Sequence, residues 1–286
     1  MTQHKIIGID LAKNIFFLFE INHKGKNLSR KKLQRSKLLS YIANKEPCTI
    51  AMEACSGAHY WAREFSKLGH QVRLYAPQHV KNQRRKQKND YNDAEAIAEV
   101  ALFQRPHAVP HKSVEQQDIQ SLIRMRRLLV TERTRFVNQI RGLISEYGII
   151  MPKGKASFTK TIPEILEDND NQLSPILREL LANQYERYLY IDEQIKWFDD
   201  KLNHTIKQFD NAKRLMSIPG FGTLTSQAVA VWLGSGQQFK TGRDASAAMG
   251  LVPKQETSGD KIILLGITSK ATPISARYSC MGRELH

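Results

Sequence analysis

Cysteine is scarce in this chain of 286 residues. The three cysteines, Cys48, Cys55 and Cys280, form no C-x-x-C pair and no Cys/His spacing of the kind that binds zinc. A structural zinc site is therefore not expected, and a reducing compartment fits this composition. Cys55 follows an apolar, strand-like segment, which favours a buried and unreactive thiol.

Long apolar runs are also missing. No segment approaches the ~20 apolar residues that a membrane-spanning helix requires. The N-terminus, MTQHKIIGID, leads directly into a strand-like run without the features of a signal peptide. With 41% hydrophobic residues, however, the chain has enough apolar material for real cores. We therefore expect a folded cytoplasmic protein with no membrane partner.

Acidic residues are too few to balance the basic ones. Asp and Glu total 28 against 43 Lys and Arg, which gives a formal net charge of +15 and a pI near 9.7. Such an excess indicates a polyanionic partner, most often nucleic acid, although a basic and merely very soluble protein is the alternative. Two stretches, 22–45 and 65–89, contain no acidic residue at all. The candidate phosphate-binding side chains in them are Lys31, Lys32, Arg35, Lys81, Arg84, Arg85, Lys86 and Lys88.

Apolar periodicity divides the chain into three parts. Strand-like runs alternate with helical ones over about 1–112, which predicts a three-layer α/β domain. Two long helical stretches, 113–147 and 174–210, predict an antiparallel hairpin or coiled coil over 113–212, used for dimerisation or as a connector. Loops are predicted between them, at 148–158 and 167–172. A small, mostly α-helical domain with one hairpin is expected over 213–270.

Four carboxylates in the first part stand in suggestive places. Asp10 and Glu53 each end a predicted strand, where side chains emerge at the edge of an α/β sheet. Asp90 and Asp93 are three residues apart at the start of a predicted helix and therefore share one face. Four converging carboxylates repel one another unless cations neutralise them, and Mg²⁺ does so with oxygen ligands. A pair of such ions can activate a nucleophile and stabilise the leaving oxygen of a phosphodiester.

Each carboxylate also has an ordinary explanation. Asp10 and Glu53 could be solvated strand-end residues. Asp90 and Asp93 could stabilise a helix dipole in its first turn, with Asn89 or Asp90 as the N-cap.

Two motifs in the last part bear on DNA chemistry. IPGFG, at 218–222, resembles the hairpin of helix-hairpin-helix modules, in which glycines such as Gly220 and Gly222 let backbone N–H groups approach a phosphate. A plain turn explains the same five residues equally well. TSGDK, at 257–261, places Ser258 in a predicted turn, but no spacing indicates a Ser-His-Asp triad that would activate it.

Taken together, the motifs resemble the insertion-sequence transposases of the IS one-ten family, which are related to Piv-type invertases. The resemblance covers nearly the whole chain to about Lys270. Its segments are IGIDLAKN (7–14), AMEACSGAHYWAREFSKLGHQVRLYAPQHVK (51–81), KNDYNDAEAIAE (88–99), SIPGFGTLTS (217–226) and AAMGLVPKQETSGDKIILLGIT (247–268).

This resemblance implies an RNase H-like, RuvC-type first domain. Its Asp-Glu-Asp-Asp tetrad falls on Asp10, Glu53, Asp90 and Asp93 and is expected to bind two Mg²⁺ ions. The nucleophilic serine of the family falls on Ser258, which is expected to join covalently to DNA. The resemblance also implies a homodimer or tetramer guided by a bridge RNA, in the nucleoid-associated cytoplasm of a bacterium.

The sequence departs from the family pattern after Lys270. With permitted codon choices, a neighbouring reading frame can encode a family-like final helix there, so residues 271–286 are interpreted as an out-of-frame tail. Two alternatives to a transposase or recombinase therefore stay open: a metal-dependent Holliday-junction-type nuclease that uses the tetrad alone, and an inactive, truncated nucleic-acid-binding relic.

Overall fold

A computed structural model of the chain describes residues 5–83, 89–103, 108–249, 251, 253–258 and 261–267. The predicted phosphate-binding residues Arg84, Arg85, Lys86 and Lys88 and the predicted tail at 271–286 lie outside these ranges. The chain forms two compact units. The described parts of 1–116 and 232–280 make the first unit, and 117–231 makes the second.

A five-stranded mixed sheet organises the first unit. Strand β1 (Ile6–Leu11) pairs antiparallel with β2 (Ile15–Ile21), which pairs antiparallel with β3 (Asn27–Gln34). On its other side β1 pairs parallel with β4 (Thr49–Glu53), and β4 pairs parallel with β5 (Gln71–Tyr75). The order β3-β2-β1-β4-β5 confirms the predicted α/β class and fits the RNase H-like arrangement.

Helices cover both faces of this sheet, because successive residues of each strand point to opposite faces. Helices α1 (Arg35–Ala43) and α2 (Ala58–Lys67) pack on one face, where Ile7, Ile9 and Phe16 form a buried core with Leu38 and Trp61. Helices α3 (Pro77–Gln83) and α4 (Asp90–Phe103) lie on the other face, and their buried core contains Phe19, Ala51, Tyr75, Ala94 and Ala98. We call these the α1/α2 face and the α4 face.

Three ion pairs join the two long, antiparallel helices of the second unit. Helix α5 (Val114–Ser145) and helix α7 (Pro175–Thr205) are linked by Arg126–Asp199, Arg133–Asp192 and Glu132–Arg187. From Arg126–Asp199 to Arg133–Asp192 the residue number rises on α5 and falls on α7, so the helices run antiparallel. Among the described residues, no helix combines the length and apolar character needed to cross a lipid bilayer.

Helix α6 (Lys155–Glu167) lies between the two long helices and corrects one prediction. The loop predicted over 148–158 is wrong for its last four residues, which are helical. Gly154, with φ 111°, ends the loop, and Phe158, Ile162 and Ile165 then bury one face of α6 in the core of the second unit. The short apolar face of α6 was not recognised in the sequence, because the glycine and lysines that precede it are typical of a loop.

The remaining elements are short. A 3₁₀ turn (Ile206–Gln208) leads into α8 (Asp210–Met216) and α9 (Thr223–Leu233). Helix α10 (Gly242–Ala248) begins with a capping box between Thr241 and Asp244. Strands β6 (Pro253–Ser258) and β7 (Lys261–Ile267) form an antiparallel hairpin. The predicted domain boundaries stay predictions.

Candidate metal and nucleic-acid site

Strand register brings Asp10 and Glu53 together. Ile9 on β1 is the partner of Met52 on the parallel strand β4, and the two carboxylates each follow that pair by one residue. Neighbouring strands lie about 4.8 Å apart, so the two backbones are adjacent at this point. Both residues share the α4 face with Tyr75 because Glu53 is paired with Tyr75, which lies in that core. Both carboxylates are partly buried.

Helix α4 begins at the same end of the sheet. The ring of Tyr91, in its first turn, packs edge-on against Phe17 with 4.8 Å between centroids, and Phe17 is the β2 partner of Asp10. Asp90 and Asp93 lie in this turn. The structure therefore brings all four predicted carboxylates to one edge of the sheet, on one face.

Gly8 permits the close contact between α4 and β1. A Cβ atom at this position would lie 2.3 Å from the Ala94 carbonyl oxygen and 2.8 Å from the Ala98 Cβ. Backbone oxygen cannot move aside without moving the helix, so only glycine fits between the strand and α4. Gly8 lies two residues before Asp10 on the same face and so controls how closely the helix approaches the strand-end pair.

Asn89 caps α4, and Asp90 and Asp93 lie in its first turn, as the helix-dipole explanation of the two aspartates expects. The Asn89 Oδ1 accepts a hydrogen bond of 3.0 Å from the Tyr91 N–H, and its carbonyl accepts one from the Asp93 N–H. Asp90 is exposed, whereas Asp93 is only 8% exposed. Burial of a carboxylate is costly, and capping does not explain it here.

The negative charges at the strand ends affect the pKa of the Cys55 thiol. Burial raises the pKa of this thiol above its usual value, and the negative charges of Glu53 and Asp10 raise that pKa further. A thiol held protonated in this way is a poor nucleophile. Cys55 is only partly buried, whereas the sequence predicted a buried thiol.

The carboxylate oxygens are suitable ligands for a hard divalent cation, but the described side chains do not form a complete coordination site. Within the ranges that the structure describes, no group of three or more His, Cys, Asp or Glu side chains is placed to hold a metal ion. The strand-end pair, Asp10 and Glu53, and the helix pair, Asp90 and Asp93, thus stand at one edge without converging. Four carboxylates and no sulfur or imidazole donor are nevertheless the donor set that Mg²⁺ prefers.

Basic side chains of β3 divide between the two faces of the sheet. Lys32 is the partner of Phe17, and its Nζ lies 5.6 Å from the centre of that ring, which places Lys32 in the same cross-strand row as Asp10. Lys31 points the other way and lies 4.7 Å from the ring centre of Tyr41. Arg35, the first residue of α1, lies over the rings of Phe16 and Trp61 on the α1/α2 face.

The other predicted binding residues are scattered. Lys81 is exposed on α3. The IPGFG segment forms a turn between α8 and α9, closed by a 3.0 Å hydrogen bond from the Phe221 N–H to the Ile218 carbonyl. Gly220 has φ 85° there, as the third position of a type II turn requires. Gly222 is exposed just before α9. The hairpin shape agrees with the motif, and its role in DNA binding stays a prediction.

Ser258 is the last residue of β6. It is paired with Lys261, the first residue of β7, so the prediction that Ser258 lies in a turn is wrong and it belongs to a strand. Its side chain lies outside the described part of the chain, and its role as a nucleophile stays a prediction.

Sequence reasoning missed two features of this region. Strand β3 was not predicted because Arg30, Lys31 and Lys32 are disfavoured in strand interiors, although an edge strand tolerates them. Gly8 was not singled out either. A lone glycine inside a strand pattern is a known signal of close backbone approach and could have revealed the contact with α4.

Two family models match the chain. One, described as "Transposase", matches residues 7–149, and the other, described as "Transposase IS116/IS110/IS902 family", matches residues 212–278. The transposase for insertion sequence element IS1111A of Coxiella burnetii is 40% identical over 270 residues, or 94% of this chain and 74% of the relative. The transposase for IS1328 of Yersinia enterocolitica is 39% identical over 272 residues, or 94% of this chain and 80% of the relative.

Among solved structures, the T. thermophilus RuvC in complex with Holliday junction substrate is similar over 36% of this chain and 95% of its own. The TM-score is 0.29 and the identity 16%, and these values support no conclusion about function. The sequence relatives are far closer and confirm the resemblance read from the motifs. On these matches, the chain belongs to the IS116/IS110/IS902 family of insertion-sequence transposases.

Proposed function

We propose that this chain is a DNA transposase that cuts and rejoins DNA with a Mg²⁺-dependent acidic tetrad and a serine nucleophile. The tetrad consists of Asp10, Glu53, Asp90 and Asp93. The nucleophile is Ser258. The observation that carries the proposal is the meeting of two adjacent strand ends with the first turn of α4 at one edge of the sheet.

The tetrad would act on a DNA phosphodiester. Asp10 and Glu53 come from neighbouring strands and would hold one side of a cation site, while Asp93 and Asp90 would complete it from α4. Bound Mg²⁺ would neutralise charge on the phosphate and stabilise the leaving oxygen. Lys32, in the same cross-strand row as Asp10, is placed to contact a phosphate next to the one that reacts.

Ser258 would provide the covalent step. Its Oγ would attack a DNA phosphorus and lose its proton to solvent, while a deoxyribose oxygen leaves and becomes a hydroxyl. The resulting serine–phosphate ester keeps the strand attached to the protein. Attack by a hydroxyl of another DNA end would then release the serine and join the two strands.

Partners follow from the proposed chemistry and from the charge. DNA at the ends of the element and at the target would be the substrate, and a bridge RNA would pair with both. The net charge of +15 suits two polyanionic ligands. A homodimer or tetramer would let the serine of one protomer work with the tetrad of another.

The two chemical roles can be separated by experiment. The purified full-length chain is incubated with Mg²⁺, RNA from the flanking region and DNA that spans the element's ends. Covalent protein–DNA adducts are measured on denaturing gels. We expect Ser258→Ala to abolish the adduct and strand joining, whereas Ser258→Cys retains part of the adduct because a thiol is also nucleophilic.

Other outcomes would replace the proposal. Metal-dependent cleavage that survives Ser258→Ala without any adduct would indicate a junction-resolving nuclease that uses the tetrad alone. DNA binding without metal-dependent cleavage by the unsubstituted chain would indicate an inactive relic.

A further inference from the structure

A cleft on the α1/α2 face has no role in the proposed chemistry of the tetrad. Its volume is about 720 Å³, within the range of about 300–1,000 Å³ that is usual for small-ligand pockets. Three parts of the first unit line it: the turn after β1 with Asn14, the junction of β3 and α1 with Arg35, and the start of α2 with Tyr60 and Trp61.

Aromatic rings and one guanidinium form the walls of the cleft. Tyr60 is 44% exposed, and its ring meets that of Trp61 edge-on with 5.1 Å between centroids. The Arg35 guanidinium lies 5.2 Å from the centre of the Trp61 ring. Exposed aromatic rings beside a cation are the combination on which unpaired nucleobases stack.

Backbone and ring contacts hold these walls in place. The Arg35 N–H donates a 2.8 Å hydrogen bond to the Asn14 carbonyl, which ties α1 to the turn after β1. Trp61 is only 4% exposed and packs in the core against Phe16 and Phe65, with centroids 5.4 and 5.5 Å away. The cleft is thus preformed on a rigid base, while Tyr60 and Arg35 stay accessible at its mouth.

Charge around the cleft selects an anionic ligand. Lys13 and Lys37 are exposed. The Arg35 guanidinium donates a 3.4 Å hydrogen bond to the Lys13 carbonyl, and Lys37 follows Arg35 by two residues. Residues 22–45 contain no acid. An uncharged apolar ligand would gain nothing from these cations. A nucleotide would gain from both halves of the cleft, since its base can stack while its phosphate meets the cations.

The cleft also lies near the proposed cutting site. Asn14 follows Asp10 by four residues, so their Cα atoms are at most about 14 Å apart. One strand of DNA can therefore reach both the acidic edge on the α4 face and the cleft around the end of the sheet. This proximity favours DNA over RNA as the occupant.

We propose that the cleft binds one unpaired nucleotide of the DNA strand whose phosphodiester reaches the tetrad. The base stacks on Tyr60 and Arg35 contacts its phosphate. This inference rests on the proposed DNA chemistry and adds a site that keeps one base of the strand unpaired beside the cut.

The test compares single-stranded and duplex DNA of one sequence, both fluorescently labelled, with the full-length chain in EDTA. We expect Tyr60→Ala and Arg35→Gln to weaken single-strand binding about 5- to 100-fold and duplex binding less than about 2-fold. Tyr190→Ala changes a more exposed tyrosine of the second unit, 62% exposed, and serves as the matched control. Thermal melts confirm that each variant is folded.

A second probe isolates the base. For a single strand with abasic positions, Tyr60→Ala should leave the binding affinity unchanged, because no base is left to stack. Equal losses on duplex and single strand would overturn the inference, as would unchanged single-strand binding. A larger loss on RNA than on DNA would overturn the choice of DNA. Since no metal is present, these results are independent of cleavage. Failure of the unsubstituted chain to bind any DNA would instead refute the proposed function.

Discussion

The two units of this chain differ in how they arrange some of their acidic side chains. In the second unit, opposite charges meet across helices α5 and α7: Asp192 binds Arg133 and also Lys155, whose Nζ lies 2.7 Å away. In the first unit, like charges gather at one sheet edge, where Asp10 and Glu53 occupy adjacent strand ends. Paired charges stabilise a fold, whereas carboxylates close to one another repel. On the proposed function, the comparison separates residues that stabilise the fold from residues that would take part in a reaction.

The sharpest test of this comparison is the carboxylate of Asp93. We expect Asp93→Asn to reduce Mg²⁺-dependent DNA cleavage on the order of 100-fold or more, because a ligand of the cation is lost. Glu95→Gln is the matched control, since it removes the same charge from the same helix. Glu95 is paired with Arg30, 3.1 Å away. Equal losses in both variants would mean that net charge, and not a site, controls the reaction.

Metal binding can be measured without any reaction. A ligand that binds only the folded state stabilises it, by about 2.7 kcal/mol when its concentration is 100 times Kd. We therefore expect Mg²⁺ to raise the Tm of the unsubstituted chain above its value in EDTA. Asp10→Asn should remove this increase, while Asp192→Asn should retain it. A Mg²⁺ effect that persists in Asp10→Asn would place the cation elsewhere.

The ion pairs of the second unit should matter for stability alone. Burial opposes the ionisation of Asp192, but hydrogen bonds from Lys155 and Arg133 outweigh it and hold its pKa below the ordinary value. Replacing this carboxylate with a neutral amide leaves two cations without their counter-charge. We expect Asp192→Asn to lower the free energy of unfolding by about 1–3 kcal/mol, measured by urea denaturation.

Low pH should remove the difference in the free energy of unfolding between the unsubstituted chain and Asp192→Asn. A depressed pKa contributes stability above the unfolded value of about 4, and that contribution disappears as the pH falls through the folded value. The gap between the unsubstituted chain and Asp192→Asn should thus be full at pH 7 and shrink below about pH 4. Glu193→Gln, at an exposed neighbouring position, is the control and should leave stability unchanged. A gap that widens in acid would contradict the ion-pair account.

The smallest expected effect concerns Lys32. A phosphate contact contributes about one unit to the slope of log affinity against log salt. We expect Lys32→Ala to reduce this slope for duplex DNA by about 1, and Lys196→Ala, on the exposed side of α7, to leave it unchanged. An identical change for both lysines would indicate general electrostatic attraction to DNA and not a specific phosphate contact beside the tetrad.

Sequence patterns predicted β1, β2, β4 and β5, the long helices and the positions of Asp10 and Glu53 at strand ends. They could not predict that these two residues share a face with the start of α4, because that depends on the pairing of Ile9 with Met52 and on the ring contact of Tyr91. Such contacts join residues far apart in the chain, and local periodicity carries no information about them.

The cleft was missed for a related reason. Tyr60 and Trp61 read as ordinary members of an amphipathic helix, and Arg35 as one of many basic residues. Only the fold brings a turn after β1, the start of α1 and the start of α2 around one cavity. Basic composition predicted the class of ligand, whereas the division of Lys31, Lys32 and Arg35 between two faces needed the register of β3.

Gly8 gives this fold a narrow genetic tolerance. A glycine codon becomes an alanine codon by one base change, and the added methyl group would lie 2.3 Å from the Ala94 carbonyl oxygen. The helix would have to retreat, carrying Asp90 and Asp93 away from Asp10 and Glu53 while every carboxylate stays in the sequence. On the proposed function, a single nucleotide change would thus inactivate the element while all four carboxylates remain in the sequence, and a survey of those residues alone would still count it as active.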